Sequence, residues 1–301
     1  MHGVLVVAKP AGPTSHDVVA LVRRLAATRR IGHGGTLDPF ASGVLPLFLG
    51  GATRLVEYHL ADDKAYRATI CLGAASTTDD LDGELTPLGG AAPARDGFET
   101  ALSGFLGRQE QHPPVYSAVQ VGGRRAYAMA RAGEAVELPA RTVEIKGLDV
   151  IDWDERDPER PIAIVDVRCS AGTYIRALAR DLGAHLGCGA YLGALVRTAS
   201  GPFTLDRAFT LDALRDAAGG GPDGIRALLL PADTGLDALP AIALTTGEIA
   251  DALQGRFVKP AGGFQGAAEG LPLRLVTASG TIVGMGRREG ARLAPTKMLP
   301  Q

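Results

Sequence analysis

Residues 32–43 read GHGGTLDPFASG and hold a single carboxylate, Asp38, between a glycine-rich approach and a proline. Asp before Pro is a common turn initiator. A carboxylate fixed in a tight loop is also the group that covalent catalysis on an electrophilic carbon requires. His33 lies in the same loop, as a general base or as a structural hydrogen-bond partner. Gly32, Gly34 and Gly35 fit neither the phosphate-loop spacing nor GxGxxG, so the segment does not indicate a nucleotide cofactor.

Other groups carry comparable pairs of readings. Tyr66 in KAYRA is a core aromatic or a platform for stacking on a base. Arg176 in GTYIRALAR falls early in a helix, where positive charge opposes the dipole; it either answers a carboxylate or phosphate or lies on the surface. Arg124, Arg125 and Arg131 interleave with Tyr127 in GGRRAYAMAR, the pattern of a nucleic-acid contact and equally of a solvated helix face. Asp79, Asp80 and Asp82 lack the later ligands of a calcium loop, so no metal is expected. Cys169 has no histidine at a supporting spacing and reads as a buried strand thiol.

The elements that must position these groups follow from periodicity. GVLVVA is a short apolar strand, and Thr14 or Ser15 caps a helix carrying Val18, Val22 and Leu25 on one face. After the Asp38 loop come a buried strand (VLPLFLG), a helix around Ala52–His59 and an alternating strand, KAYRATICLG. An amphipathic helix is expected over Asp96–Gly107, a strand at PPVYSAVQV, then a basic helix. Strands follow at TVEIKGLDVI and PIAIVDVRCS, with a helix from Gly172-Thr173. Strands and helices intermix without a βαβ rhythm, which favours α+β. The tail from about Leu239 has a capped helix and two strands around Ser279-Gly280, consistent with a small β-rich domain.

The 301 residues are 46% hydrophobic and 21% charged, the balance of a globular chain long enough for more than one domain. The formal charge of −2 gives no overall attraction to nucleic acid, so any polyanion site must be a local patch. The three cysteines have no CxxC spacing and suit a reducing cytoplasm. The apolar start is too short for a signal peptide and no stretch approaches a membrane span, so a cytoplasmic protein is expected.

In series, these segments resemble the TruB-type tRNA pseudouridine synthases. AKPAGPTSHDVV is similar to the family's opening segment, and GHGGTLDPFASGVLPLFLGGATR to its catalytic motif. KAYRATICLG, TTDDLDGE, HPPVYSAVQVGGRRAYAMAR, CSAGTYIRALARDLG and GAYLGALVRTASGPF follow in family order. Ala8, Gly34, Gln120 and Arg54 depart from residues common in the family, which bears on RNA affinity more than on chemistry.

The resemblance implies isomerisation of the T-loop uridine 55 of tRNA to pseudouridine, without cofactor or metal, after the base is flipped out. It implies Asp38 as the nucleophile, Tyr66 stacking on the base and serving the C5 proton, and Arg176 pairing with Asp38 to hold it charged. It places His33 near the RNA loop, Ile175 and Leu195 as apolar pocket positions, and Lys9 and Asp80 at the site's margin. Arg124 and Arg125 fall in an RNA-gripping insertion, about residues 108–141.

The fold it implies is a long mixed, mainly antiparallel sheet flanked by helices over 1–238, followed by a PUA-like RNA-binding domain over 239–301. It also implies a monomer acting on the T-arm stem-loop without an obligate protein partner, with a tRNA-folding chaperone role able to accompany catalysis. Rival readings are a guide-directed rRNA modifier, a non-catalytic RNA chaperone and a carboxylate nucleosidase. The last usually needs a second acid or a metal to activate water, and no such pairing is visible.

Overall fold

The structure is a computed structural model that describes residues 1–300 except Ala118 and Ala135; the side chains of Val121, Arg125 and Ala128 also lie outside the description. The chain opens with β1 (Gly3–Lys9), and α1 (Ser15–Leu25) follows. Thr14 caps α1 and forms a capping box with Asp17. Strands β2 (Ile31–His33) and β3 (Ser42–Leu49) flank the Asp38 loop. The helix expected over Ala52–His59 is a 3₁₀ run, Gly50–His59.

Next come β4 (Lys64–Leu72), a small hairpin of β5 (Ala74–Ser76) and β6 (Leu85–Pro87), and α2 (Arg95–Ser103). Strand β7 (Gly107–Gln111) is followed by a two-residue hairpin, β8 (Gln120–Val121) and β9 (Arg124–Arg125), and by α3 (Ala126–Arg131). The strand expected at PPVYSAVQV is therefore present only at its end. Pro113 and Pro114 have no N–H to give to a ladder.

The long strand β10 (Arg141–Asp154), β11 (Ile162–Cys169), α4 (Ile175–Leu186) and β12 (Ala190–Ser200) complete the central layer. Two-residue strands β13 (Phe203–Thr204) and β14 (Phe209–Thr210) lead to α5 (Leu211–Ala218) and α6 (Pro222–Arg226). The strand order of the main sheet is β14-β1-β3-β12-β4-β11-β10-β7, with β2 paired to β3 and β13 to β12. Only β1–β14 and β3–β12 pair in parallel. The sheet is thus mixed and mainly antiparallel, as the resemblance implied.

Strand alternation explains why β1 is apolar throughout. Leu5 and Val7 pack with Val18 and Val22 of α1, whereas Val4 and Val6 face a second cluster containing Phe48, Leu55 and Phe203. Met285 and Leu299 join that second cluster from the C-terminal region. A third cluster joins α4 to β4, β11 and β12 beneath the Asp38 loop. The tail forms its own sheet: β15 (Ala241–Ala243), β16 (Pro272–Val276), β17 (Ile282–Glu289) and β18 (Arg292–Met298), with α7 (Thr246–Leu253) beside it.

The parallel contact of β3 with β12 depends on one glycine. Gly43 has φ of +108°, and a Cβ there would lie 2.2 Å from the backbone oxygen of Arg197. No other residue lets β12 run this close to the end of the Asp38 loop.

Candidate active site

The Asp38 loop is braced from beneath. Lys9, only 1% exposed, donates to the carbonyls of Pro10 (2.8 Å), Pro39 (3.2 Å) and Ala41 (2.7 Å). Ser15 Oγ donates to Leu37 O and accepts from Leu37 N, pinning the residue before Asp38 to the start of α1. Burial pulls the Lys9 ammonium down to about 8, against the attraction of Asp38.

Lys9 thus sits under the loop with its donors spent on carbonyls. Lys9→Met leaves three carbonyls without donors and is expected to cost about 3 kcal/mol in urea unfolding. Turnover should fall with it as the loop loosens.

Helix α4 delivers the partner of Asp38. Its N-terminal residue Tyr174 has no side-chain cap, but Gln111 grips it with both ends of its amide: Tyr174 N donates to Oε1 (2.8 Å), and Nε2 donates to Tyr174 O (3.0 Å). Arg176, in the first turn and 4% exposed, forms ion pairs through Nη2 with Asp38 Oδ2 at 2.9 Å and through Nη1 with Asp80 Oδ2 at 3.1 Å. The carbonyls of Thr78 and Tyr116 accept at 3.0 Å each. The planar fork suits this double carboxylate contact.

The Asp38 side chain remains 39% exposed and so is reachable from solvent. Crowding by the surrounding protein nevertheless pushes its carboxyl above the ordinary value of 3.8. Arg176 pulls it back, Asp80 adds to the rise and Lys9 opposes it.

Asp38 and Arg176 form one side of a cavity of about 300 Å³, lined also by Lys64, Tyr66, Arg141, Ile175, Leu195 and Arg197. That volume lies at the low end of small-molecule sites and suits one nucleotide. Tyr66 comes from β4, opposite Val167 of β11 and Arg197 of β12. Burial raises its phenol above the ordinary value, and the neighbouring Arg197 cation opposes the rise. A second cavity of about 420 Å³ touches the same ion pair from the side of His16, Phe40 and Tyr127.

The fold therefore brings together five of the sequence-derived residues, Asp38, Tyr66, Arg176, Ile175 and Leu195, around one cavity. Asp80 stands behind them, buried, holding Arg176 and accepting from Thr78 Oγ1 and Asp82 N (3.1 Å). His33 does not line this cavity. It packs edge-on against His16 at 5.8 Å, and burial holds its imidazole below the ordinary value, with His16 and Arg197 adding to that. Arg124 is exposed and makes a two-pronged contact with Glu134 at 2.8 and 2.9 Å. The Arg125 side chain lies outside the described residues.

Sequence reasoning missed Arg197, Lys64 and Ser117. Arg197 is 2% exposed and donates to the carbonyls of Val44 (2.7 Å), Gly35 (3.1 Å) and Thr36 (3.3 Å). It lies two residues after Leu195, and in a strand that spacing puts both on one face, a signal open to sequence reading. Lys64, by the same rule, shares a face with Tyr66. Ser117 is buried between the two cavities, and its hydroxyl has no hydrogen-bond partner among the described residues. Among those residues no group of three or more His, Cys, Asp or Glu side chains could hold a metal ion, and no helix is long and apolar enough to cross a membrane.

The profile described as "TruB family pseudouridylate synthase (N terminal domain)" matches residues 23–175, and the "tRNA pseudouridylate synthase B C-terminal domain" matches 176–237. The chain is 48% identical over 248 residues to the tRNA pseudouridine synthase B of Trichormus variabilis, covering 81% of each. It is 40% identical over 305 residues to that of Pseudomonas aeruginosa, covering 99% of this chain and 96% of the other. Among solved structures, a Cbf5-Nop10-Gar1 complex superposes with a TM-score of 0.72 at 27% identity, covering 99% of this chain and 84% of that one. An H/ACA RNP bound to a substrate RNA containing 2′-deoxyuridine gives 0.73 at 26%, covering 99% and 85%. With profiles matched over residues 23–237 and relatives at 40% and 48% identity, the chain belongs to the TruB family of pseudouridylate synthases.

Proposed function

We propose that this chain converts uridine 55 in the T-loop of tRNA to pseudouridine, with Asp38 as nucleophile. The observation that carries the reading is the Asp38–Arg176 pair at the edge of a nucleotide-sized cavity walled by Tyr66. A uridine in a folded loop reaches such a cavity only when flipped out, at a cost of about a few kcal/mol offset by stacking and pocket contacts. Asp38 then attacks the nucleotide while Arg176 stabilises the carboxylate, Tyr66 stacks on the base, and Ile175 and Leu195 exclude water. His33 serves the conformation of the RNA loop rather than proton transfer.

The names of the relatives at 40% and 48% identity support tRNA as substrate, and a chain that works alone in the cytoplasm is proposed with it. The Cbf5 structures support the rival, guide-directed reading, since those relatives sit in multi-protein assemblies. Residues 239–301 are proposed as a PUA-like RNA-binding domain, supported by their separate four-stranded sheet and by profile matches that end at 237. Mapping pseudouridine on a T-arm stem-loop incubated with the purified protein alone tests the reading. Modification at position 55 supports it, and modification only with added guide RNA favours the rival.

Arg124 and Arg125 are proposed to touch RNA phosphate. Because Glu134 already occupies Arg124, Glu134→Gln is expected to free that cation and steepen the salt dependence of RNA binding by about one phosphate contact. Filter binding between about 50 and 200 mM salt reads this slope.

A further inference from the structure

We infer that Arg197 is a positioning residue for the isomerisation, setting Tyr66 against the Asp38 loop so that the proton at uracil C5 can leave. The inference rests on the reading above that Tyr66 faces the target base. Its grounds are geometric. One buried guanidinium donates to Gly35 and Thr36 at the front of the Asp38 loop and to Val44 just after it, and Arg197 stands directly opposite Tyr66 across β12 and β4, both lining the same cavity. The front of the Asp38 loop and Tyr66 therefore flank the same buried side chain.

The second ground is charge. Arg197 is buried in the sheet, yet among the described residues no carboxylate lies within ion-pair distance of it. Lys64 and Lys9, both buried, add positive charge nearby, while Arg176 engages Asp38 and Asp80. An uncompensated buried cation is costly, and the structure retains one whose direct cross-strand neighbour is Tyr66. Cys169 and His33 are the other titratable groups near this centre, and burial holds the Cys169 thiol up at about 11.

Once C5 is joined to C1′, the C5–H bond breaks and its electron pair forms the C5–C6 double bond. The C6–N1 π pair moves onto N1, which takes a proton from solvent; or, where Asp38 is bonded to C6, the C6–O bond breaks and its pair returns to the carboxylate. The proton passes to the Tyr66 oxygen, whose own hydroxyl proton goes to solvent, so the phenol ends unchanged. Arg197 favours departure of that hydroxyl proton by sitting beside the oxygen from which it leaves.

The test compares Arg197→Lys and Arg197→Gln with the parent enzyme, on a T-arm stem-loop carrying uridine or 5-deuterated uridine. The expected result is affinity within about threefold, single-turnover rate down at least 100-fold, and a larger deuterium isotope effect. In a Tyr66→Phe background, Arg197→Lys should change the rate less than about threefold. Equal losses with and without Tyr66, an unchanged isotope effect, or failure of both variants to fold would assign Arg197 to stability alone and overturn the inference. Tyr66→Phe turning over at nearly the parent rate would instead remove the underlying reading of Tyr66.

Discussion

Asp38→Asn is expected to lower single-turnover pseudouridine formation on a T-arm stem-loop by at least about 10⁴-fold, while RNA affinity stays within a few-fold. The magnitude follows from removing the proposed nucleophile, the one carboxylate among the described residues that line the cavity. Affinity survives because it comes mainly from phosphate contacts spread over the RNA surface. The fold also survives, since Arg176 keeps Asp80 and the carbonyls of Thr78 and Tyr116.

In the parent enzyme Asp38 must be ionised, so activity falls as pH drops through its raised folded-state value, above the ordinary 3.8. The same rise means that Asp38 binds its proton more tightly folded than unfolded. Its contribution to stability therefore declines as pH climbs from the ordinary value to the raised one. Substantial residual turnover by Asp38→Asn would remove this residue from the nucleophile's role.

Arg176→Met carries the second large effect. It leaves Asp80 buried and Asp38 crowded with no guanidinium between them, and breaking a buried pair in this way costs about 3–5 kcal/mol. Urea unfolding should show that loss. The acid limb of the pH–rate profile should move to higher pH, because the strongest influence lowering the Asp38 value is gone. Asp80→Asn added to Arg176→Met should return part of the stability but little of the activity. An acid limb that stays in place would show that Arg176 does not govern Asp38 ionisation.

Much of this was legible in the chain. Helix periodicity and capping located α1, α4 and α7, because their apolar spacing and end residues agree with the tertiary structure that uses them. Arg176 was legible for a physical reason: a cation in the first turn of a helix is disfavoured unless something answers it, and Asp38 and Asp80 do. Arg197 was harder. An arginine in an alternating strand looks like the solvent-facing partner of its neighbours, and only the parallel approach of β3 turns that face into the interior.

The surroundings of Lys9 were not legible. Lysine is rarely buried, and nothing local to it indicates the three loop carbonyls that surround it. Residues 113–119 were obscured because their apolar spacing suggests a strand that two prolines prevent from pairing.

The packing of Val4 and Val6 against Leu299 and Met285 has a consequence for synthesis. At roughly 5–20 residues per second, the ribosome needs about 15–60 s to produce a chain of this length. Throughout that interval the first strand has emerged, while Leu230, which exchanges two backbone hydrogen bonds with Val4, and the residues that cover its far face have not. The central sheet therefore cannot be completed in the order in which it is translated. The nascent chain carries an apolar first strand some of whose partners are made last, the long-range pairing that slows folding.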